Sequence, residues 1–170
     1  MKLFIITLCL LATAFAQAAD LFYKKNLSLH VIHDVDQGKS ESLLLDTAVG
    51  NYIADSGAVL YIKGQTLYLV QDTRDSKPMN LGVGITDFKL NDGLIAYIKG
   101  GSLYVRRVSD AAGVSARQVA NSEGASSIDV AGKMIIFLKN KTTLYRVTDL
   151  DRGTTERVIY PVGEVQASGQ

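Results

Sequence analysis

Histidine and cysteine, two of the side chains that most often carry out chemistry in proteins, are scarce in this sequence. The two histidines, His30 and His33, stand in the run HVIH. Residues three apart on a β-strand point to opposite faces of the sheet, so this pair cannot bind one metal ion from a strand. The sole cysteine, Cys9, falls in an apolar N-terminal run. Because no His–Asp–Ser or Cys–His set is visible, the sequence predicts no catalytic residue and no metal site.

The glycine-rich and acidic segments do not predict a cofactor either. GVGITD, at Gly82–Asp87, lacks the third glycine of a dinucleotide-binding loop and leads into a strand, not a helix. The aspartates lack the dense alternating spacing of a calcium-binding loop. Four of them recur at one place in a repeat described below, and they are Asp34, Asp72, Asp110 and Asp149. Aspartate carboxylates accept hydrogen bonds from nearby backbone amides in turns, so we interpret these four as turn residues.

Residues 1–18 have the pattern of a cleaved secretory signal peptide. One lysine precedes the apolar run Leu3–Phe15, and the segment AQA at 16–18 fits the small-x-small site of signal peptidase. The run is too short to span a bilayer, and Cys9 lacks the preceding small residues of a lipoprotein signal. We therefore expect residues 19–170 to form one secreted or periplasmic domain without a lipid anchor, membrane insertion or a disulfide.

The charges of the chain are balanced, with 18 lysines and arginines against 17 aspartates and glutamates. Such a balance gives no electrostatic reason to expect nucleic acid or an anionic membrane as a partner. The composition instead leaves a protein partner, or an anionic ligand bound by a local group of lysines. We expect no cofactor.

Four segments of the sequence are similar to one another. They read YKKNLSLHVIHD at Tyr23–Asp34, YIKGQTLYLVQD at Tyr61–Asp72, YIKGGSLYVRRVSD at Tyr97–Asp110 and FLKNKTTLYRVTD at Phe137–Asp149. Each copy has a lysine before a short turn and a leucine after it. The lysines are Lys25, Lys63, Lys99 and Lys139, and the leucines are Leu29, Leu67, Leu103 and Leu144. The lysines are 38, 36 and 40 residues apart, a period typical of repeat architectures.

Each repeat contains four predicted strands, so the fold class is all-β. Two apolar runs flank the turn after the lysine, an earlier run ends in a turn such as Asp92-Gly93, and a later run follows the aspartate. Four antiparallel strands at this period form a propeller blade, so we predict a four-bladed β-propeller. VQASG at Val165–Gly169 is similar to IADSG at Ile53–Gly57, so we expect the C-terminal strand to complete the first blade and close the ring. The alternatives are a β-trefoil, which needs three such units, and two chains that pair into a larger ring.

The pattern apolar-Tyr-Ile-Lys-Gly-x-x-Leu-Tyr-Val, followed by an aspartate turn, resembles the short blades of TolB-like and related bacterial extracytoplasmic propellers. The resemblance covers residues 19–170 and rests on residues that build strands and turns. It implies the propeller fold and assigns no catalytic residue, because propellers host binding, scaffolding and catalysis alike.

The repeat lysines are the candidate ligand-binding residues. In a propeller the turn between the second and third strands opens on the same side as the linkers between blades, so we expect Lys25, Lys63, Lys99 and Lys139 around one face and the repeat aspartates on the other. A ring of ammonium groups can hold an anionic ligand or an acidic protein surface, weakly and in a salt-sensitive way. We predict a non-catalytic binding or interaction module, either a monomer or a homodimer. The alternatives are a small extracytoplasmic hydrolase or lyase, and an inhibitor of a secreted enzyme that uses the loop Ser109–Gln118.

Overall fold

The repeats fold as four antiparallel sheets, called blades 1 to 4 here in chain order. The computed structural model describes residues 19–55, 57–74 and 77–158. Blade 1 consists of β1 (Leu21–Lys25), β2 (Ser28–Ile32) and β3 (Ser42–Asp46). Blade 2 consists of β4 (Val49–Asp55), β5 (Ala58–Lys63), β6 (Thr66–Val70) and β7 (Met79–Val83).

Blades 3 and 4 repeat the plan of blade 2. Blade 3 consists of β8 (Ile85–Asn91), β9 (Leu94–Lys99), β10 (Ser102–Arg107) and β11 (Arg117–Gln118). Blade 4 consists of β12 (Ala125–Ala131), β13 (Met134–Lys139), β14 (Thr143–Asp149) and β15 (Thr154–Arg157). In every blade the strands pair in chain order, and all pairs are antiparallel.

These sheets are the four blades of a β-propeller that the sequence predicts for one chain, and their separation into four sheets excludes a β-trefoil. The three strands described for blade 1 correspond to the second, third and fourth strands of the other blades, because Tyr23 of β1 takes the place of Tyr61 of β5 in the repeat. The predicted closing strand, Val165–Gly169, lies outside the described residues. Within the described ranges, no helix is long and apolar enough to cross a membrane.

The turns after the repeat lysines need residues that accept positive φ. Between β1 and β2, Asn26 and Leu27 have φ of 50° and 63°, and between β9 and β10, Gly100 and Gly101 have φ of 57° and 74°. Positive φ at both central positions defines the type I′ turn, whose twist matches that of two antiparallel strands. Glycine and asparagine adopt this conformation at least cost, so the turn fixes the register of each hairpin.

Blades pack face to face in a series. Residues of blades 1 and 2, including Leu29, Val59 and Tyr61, form one core. Residues of blades 2 and 3 form a second core, and residues of blades 3 and 4 form a third. The described residues form no comparable core between blade 4 and blade 1. The two middle blades are therefore covered on both faces, while each outer blade is covered on one.

A stacked pair of rings marks the same place in every blade. The pairs are Tyr23 with His30 at a centroid distance of 5.1 Å, and Tyr61 with Tyr68, Tyr97 with Tyr104 and Phe137 with Tyr145 at 5.5 Å each. In blades 2, 3 and 4 the pair faces the preceding blade. Tyr61 is 0% exposed and Tyr97 is 3% exposed, so these two tyrosines are buried between blades. His30 packs on a ring because it takes the place in the repeat that Tyr68, Tyr104 and Tyr145 take in the other blades.

Candidate binding faces

The loops of the propeller open on two opposite faces, and hydrogen bonds identify which loops share a face. The Val49 amide, at the start of blade 2, donates to the Leu27 carbonyl in the β1–β2 turn (2.8 Å). The Ala125 amide, at the start of blade 4, donates to the Gly101 carbonyl in the β9–β10 turn (2.9 Å). The turns after the repeat lysines and the linkers between blades therefore lie together, on what we call the lysine face.

The remaining loops form the aspartate face. The Thr73 amide, after the third strand of blade 2, lies 3.4 Å from the Gly57 carbonyl in the turn between β4 and β5. The Val108 amide makes the equivalent bond to the Gly93 carbonyl in blade 3 at 2.8 Å. Each blade thus presents its lysine turn on one side and its aspartate loop on the other.

Two of the four candidate lysines help to hold neighbouring blades together. Lys63 Nζ lies 2.7 Å from Oδ1 of Asp46, which belongs to the preceding blade. Lys139 Nζ donates to the Asn121 carbonyl in the linker before blade 4 (2.7 Å), and it lies 5.8 Å from the ring centroid of Tyr145. Part of the binding capacity of these two ammonium groups is therefore already used.

The other two candidates, Lys25 and Lys99, make no ion pair with any described residue. Lys99 lies against Gly82 of β7, because a Cβ built on that glycine would be 3.2 Å from Lys99 Nζ. Gly82 takes the strand position that Asp46 takes in blade 1, where it faces the leucine of the repeat. The carboxylate that neutralises Lys63 therefore has no counterpart beside Lys99. Ligand binding by the four lysines stays a prediction.

Asp46 is the centre of a hydrogen-bonded group at the first junction. Its Oδ2 accepts from the Tyr61 hydroxyl (2.8 Å), while its Oδ1 accepts from Lys63 Nζ (2.7 Å) and from the Thr47 amide (2.7 Å). Burial opposes ionisation, but the bonds from Lys63, Tyr61 and Thr47 outweigh it and lower the pKa of Asp46. Burial, and then the Asp46 carboxylate, raises the pKa of Tyr61, so its hydroxyl stays protonated and donates.

This group of Asp46, Tyr61 and Lys63 brings together side chains that could serve acid–base chemistry, yet the geometry assigns them to structure. Tyr61 is fully buried, and both oxygens of the carboxylate already accept hydrogen bonds. A general acid or base must reach the proton that it transfers. The Tyr61 hydroxyl and the Asp46 carboxylate therefore act as a tie between blades 1 and 2.

On the aspartate face, Asp34 is buried between two cations. Its carboxylate lies 2.5 Å from Arg74 Nη2 and 2.6 Å from Lys39 Nζ. The hydrogen bond from Arg74, and then the one from Lys39, lowers the pKa of Asp34 to about 2. Asp20 extends the group, since its Oδ1 lies 3.4 Å from Arg74 and 3.1 Å from His33 Nδ1. Arg74 belongs to blade 2, so this ion pair is a second tie across the same junction.

Three of the four repeat aspartates are turn residues, as predicted. Asp72 and Asp149 each accept the amide two residues later, at 2.8 Å and 2.9 Å, and Asp110 accepts the amide of Arg107 at 2.8 Å. Asp34 departs from the prediction. Its carboxylate accepts hydrogen bonds from the side chains of Arg74 and Lys39, and it makes no hydrogen bond to an amide of the 3₁₀ turn that follows it. Arg74 thus takes the place of a backbone amide as a hydrogen-bond donor to this carboxylate.

Arg106 is a structural residue that the sequence reasoning missed. It is 5% exposed, and its guanidinium donates to the carbonyls of Asp110 (3.0 Å) and Val114 (3.2 Å). The loop Ser109–Gln118 is therefore anchored from inside the blade. A signal was present in the sequence, because valine stands at the matching repeat positions, Val70 and Val147.

The part of the chain that the structure describes contains no candidate metal site. No group of three His, Cys, Asp or Glu side chains lies close enough there to hold an ion. His30 is stacked on Tyr23, and His33 lies beside Asp20, so the two histidines are in separate surroundings.

No protein-family model matches this sequence, and no curated protein matches it. Solved structures do match the fold. Hsv2 of Kluyveromyces lactis aligns with a TM-score of 0.55 and 17% identity, over 76% of this chain and 43% of its own. Human WBSCR16 aligns with a TM-score of 0.55 and 14% identity, over 84% of this chain and 51% of its own. PorZ, an essential bacterial surface component of the type-IX secretion system of Porphyromonas gingivalis, aligns with a TM-score of 0.54 and 15% identity, over 84% of this chain and 21% of its own.

Hsv2 and WBSCR16 are β-propeller proteins, and this chain spans about half of the length of either. Identities of 17% and 14% carry the architecture and no activity, because one fold hosts many functions. The repeats, the four sheets and these structural likenesses agree that the chain has the β-propeller fold.

Proposed function

We propose that this protein is a non-catalytic, extracytoplasmic binding module that takes an anionic partner on its lysine face. The location is supported by the signal-peptide pattern of residues 1–18 and by the resemblance of the repeat to TolB-like bacterial propellers. It is also supported by the likeness to PorZ, a bacterial surface component. The partner is a protein with an acidic surface or a polyanionic ligand.

The observation that carries this proposal is the segregation of charge between the two faces. Among the described residues, the lysine face bears Lys24, Lys25, Lys63, Lys99, Lys139 and Lys141, together with the carboxylates Asp46 and Glu123. The aspartate face bears eight described aspartates, and part of their charge is compensated by cations of the same face. The aspartates are Asp34, Asp36, Asp55, Asp72, Asp92, Asp110, Asp149 and Asp151, and the cations are Lys39, Arg74, Lys77, Arg107, Lys133 and Arg152. A chain with balanced total charge can thus present a positive potential on one side, which attracts and orients an anionic partner.

The shifted pKa values fit a binding protein better than the active site of a hydrolase or lyase. Strongly shifted pKa values often mark active sites, but ion-pair networks within the structure shift them too. Asp34, Asp46 and Tyr61 are each bonded to a partner across the first junction. Asp151 and Arg107 shift each other across the junction of blades 3 and 4, and burial between blades raises the pKa of Tyr97. Their shifts follow from holding blades together.

Lys25 and Lys99 should contribute most to binding, because neither is neutralised by a described carboxylate. Lys63 should contribute less, since Asp46 already compensates its charge at 2.7 Å. An exposed ammonium group on a flexible stem contributes modestly and is screened by salt. Affinity for a multivalent anion therefore depends on several of these lysines acting together.

The test compares two double variants that remove the same charge from opposite faces. Lys25→Gln with Lys99→Gln alters the lysine face, and Lys77→Gln with Lys133→Gln is the matched control on the aspartate face. Polyglutamate and polyphosphate serve as probes, and binding is measured by calorimetry between 0.1 M and 1 M salt, where the screening length falls from about 10 Å to about 3 Å.

We expect the unaltered protein and the control to bind a probe at low salt and to lose it at high salt. The lysine-face variant should bind at least about tenfold more weakly, which corresponds to about 1.4 kcal/mol. Equal binding by the two double variants, or no binding by any of the three proteins, would contradict the proposed function.

A further inference from the structure

Blade 1 and blade 4 each have a sheet face that no described blade covers. We call the side of a blade that points toward the preceding blade its front face, and the opposite side its back face. At all three junctions the back face of one blade packs on the front face of the next. The front face of blade 1 and the back face of blade 4 are the two halves of one more junction of the same kind.

The front face of blade 1 has the sequence of a buried face but is exposed. Leu21 is 50% exposed, whereas the residues at the same repeat position, Val59, Ile95 and Ile135, are all 0% exposed. Ile32, on the same face, is partly exposed, whereas Val70 and Val147 at its repeat position are 2% and 7% exposed. The sequence of the front face therefore suits a packed junction, and its surroundings in one chain do not supply one.

The back face of blade 4 shows the same contrast. Met134 is 44% exposed, whereas its repeat equivalents Ala58 and Leu94 are 1% and 5% exposed. Leu144 is partly exposed, while the other repeat leucines, such as Leu103 at 0%, are buried. Two apolar faces of matching kind therefore stand at the two ends of the series of blades.

We propose that the occupant of each free face is a second copy of this chain, so that two copies form one closed ring of eight blades. The back face of blade 4 in each copy packs on the front face of blade 1 in the other. The two junctions are related by a two-fold axis that coincides with the central axis of the ring. Two-fold symmetry is the commonest symmetry of soluble homo-oligomers.

The likeness to larger propellers favours a ring of more than four blades. The aligned part of this chain covers 43% of Hsv2 and 51% of WBSCR16. The described blades thus have the extent of about half of such a propeller, and two copies have the extent of a whole one. In agreement, the ends of the described series share no core.

One pair of opposite charges stands at the rim of the two faces, although Arg152 of this pair also lies 3.7 Å from Asp149 of its own blade. At the existing junctions, loops of the aspartate face are joined by ion pairs, Asp34 with Arg74 and Arg107 with Asp151. At the free ends, the corresponding loop of blade 4 carries Arg152, whose side chain is 82% exposed, and the loop of blade 1 carries the exposed Asp36. An arginine and an aspartate would again meet across the new junction.

Analytical ultracentrifugation of the purified protein across micromolar concentrations tests this proposal. We expect a species of twice the mass of one chain. Leu21→Arg and Met134→Arg, which place a charge on either free face, should each weaken association by about 30-fold or more. Val114→Arg is the matched control, because Val114 is 50% exposed on the Ser109–Gln118 loop and away from both faces, and it should leave the dimer unchanged.

Circular dichroism checks that each variant keeps its fold, and Leu21→Ser with Met134→Ser provides milder changes if an arginine prevents folding. A monomer for the unaltered protein would overturn the proposal. If Leu21→Arg also lowered the melting temperature of that monomer steeply, the two faces would pack within one chain. A dimer that persists in both face variants would overturn the proposal as well, because the dimer would then use another surface.

Discussion

The ring pairs of blade 2 and blade 1 occupy the same strand positions and differ in their surroundings. In blade 2, Tyr61 stacks on Tyr68, is 0% exposed, and donates its hydroxyl to Asp46 of the preceding blade. In blade 1, Tyr23 stacks on His30 and is partly exposed, and its hydroxyl lies 2.7 Å from Ser42 Oγ of the same blade. The repeat thus encodes the pair, and the neighbouring blade supplies its burial.

This difference separates two contributions to stability. Stacking within a blade is present in both pairs at similar distances, 5.5 Å and 5.1 Å. Burial against a neighbour and a hydrogen bond to a charged group are present only in blade 2. Matched substitutions at Tyr61 and Tyr23 therefore measure what a neighbouring blade adds.

The largest effect is expected from deleting the rings. Tyr61→Ala should lower the free energy of unfolding by about 3–5 kcal/mol, because it leaves a cavity between two blades and exposes Asp46. Tyr23→Ala should cost about 1 kcal/mol, the central value for substitutions in general. Urea unfolding followed by circular dichroism at low protein concentration gives both values. Equal costs would show that the front face of blade 1 is already packed within one chain.

A smaller effect is expected from removing the hydroxyls alone. Tyr61→Phe should cost about 1.5–3 kcal/mol, since it removes a hydrogen bond to a charged, partly buried carboxylate. Tyr97→Phe is a control, because its hydroxyl donates to a neutral carbonyl, that of Leu81, at 3.2 Å, and it should cost about 1 kcal/mol. Tyr23→Phe should cost less than either. The same urea experiment measures all three free energies of unfolding. If Tyr61→Phe lost no more stability than Tyr23→Phe, the hydrogen bond from Tyr61 to Asp46 would not stabilise the fold.

The smallest effect is expected at the ion pair of Asp34 and Arg74, because Arg74 is 45% exposed and water screens such a pair. The pKa of Asp34 is about 2 in the folded chain and about 4 in an unfolded one. A carboxyl whose pKa is lower in the folded state stabilises the fold above its unfolded pKa, and that contribution is lost as the pH falls. Stability should therefore decline between about pH 4 and pH 2, and Arg74→Gln should reduce this decline.

The matched control for the pH experiment is Arg152→Gln, which alters an exposed arginine that lies 3.7 Å from Asp149 within one loop. At a protein concentration where the chain is monomeric, this variant should leave the stability at acid pH unchanged. If Arg74→Gln gave the same curve as Arg152→Gln, the Asp34 carboxyl would not owe its low pKa to Arg74.

The fold could be predicted from the sequence because its determinants recur. Tyr23, Tyr61 and Tyr97 recur at intervals of 38 and 36 residues, and the lysine turns carry residues suited to positive φ. A repeated local pattern reports a repeated local structure, and stacking such units buries a common core. The strand closing the first blade, Val165–Gly169, lies beyond the described residues and stays a prediction.

The ties between blades could not be predicted because they join residues that do not recur. Asp46 is replaced by Gly82 at the same position of the next blade, so no repeat identifies it as the partner of Tyr61. Lys63 and Lys99 occupy the same position in the repeat. They differ because the preceding blade places Asp46 beside Lys63 and Gly82 beside Lys99. Arg106 is the exception, because an arginine among valines at one repeat position marks a special role in advance.

The packing of the blades in series has a consequence for how the protein opens and unfolds. Stability in such arrays is close to a sum of unit terms and nearest-neighbour terms. Blades 2 and 3 each have two neighbours, while blades 1 and 4 each have one within a chain. In a single chain, local opening therefore proceeds inward from the ends. At protein concentrations where the chain is monomeric, amide hydrogens of β5 and β9 should exchange with solvent more slowly than those of β1 and β14.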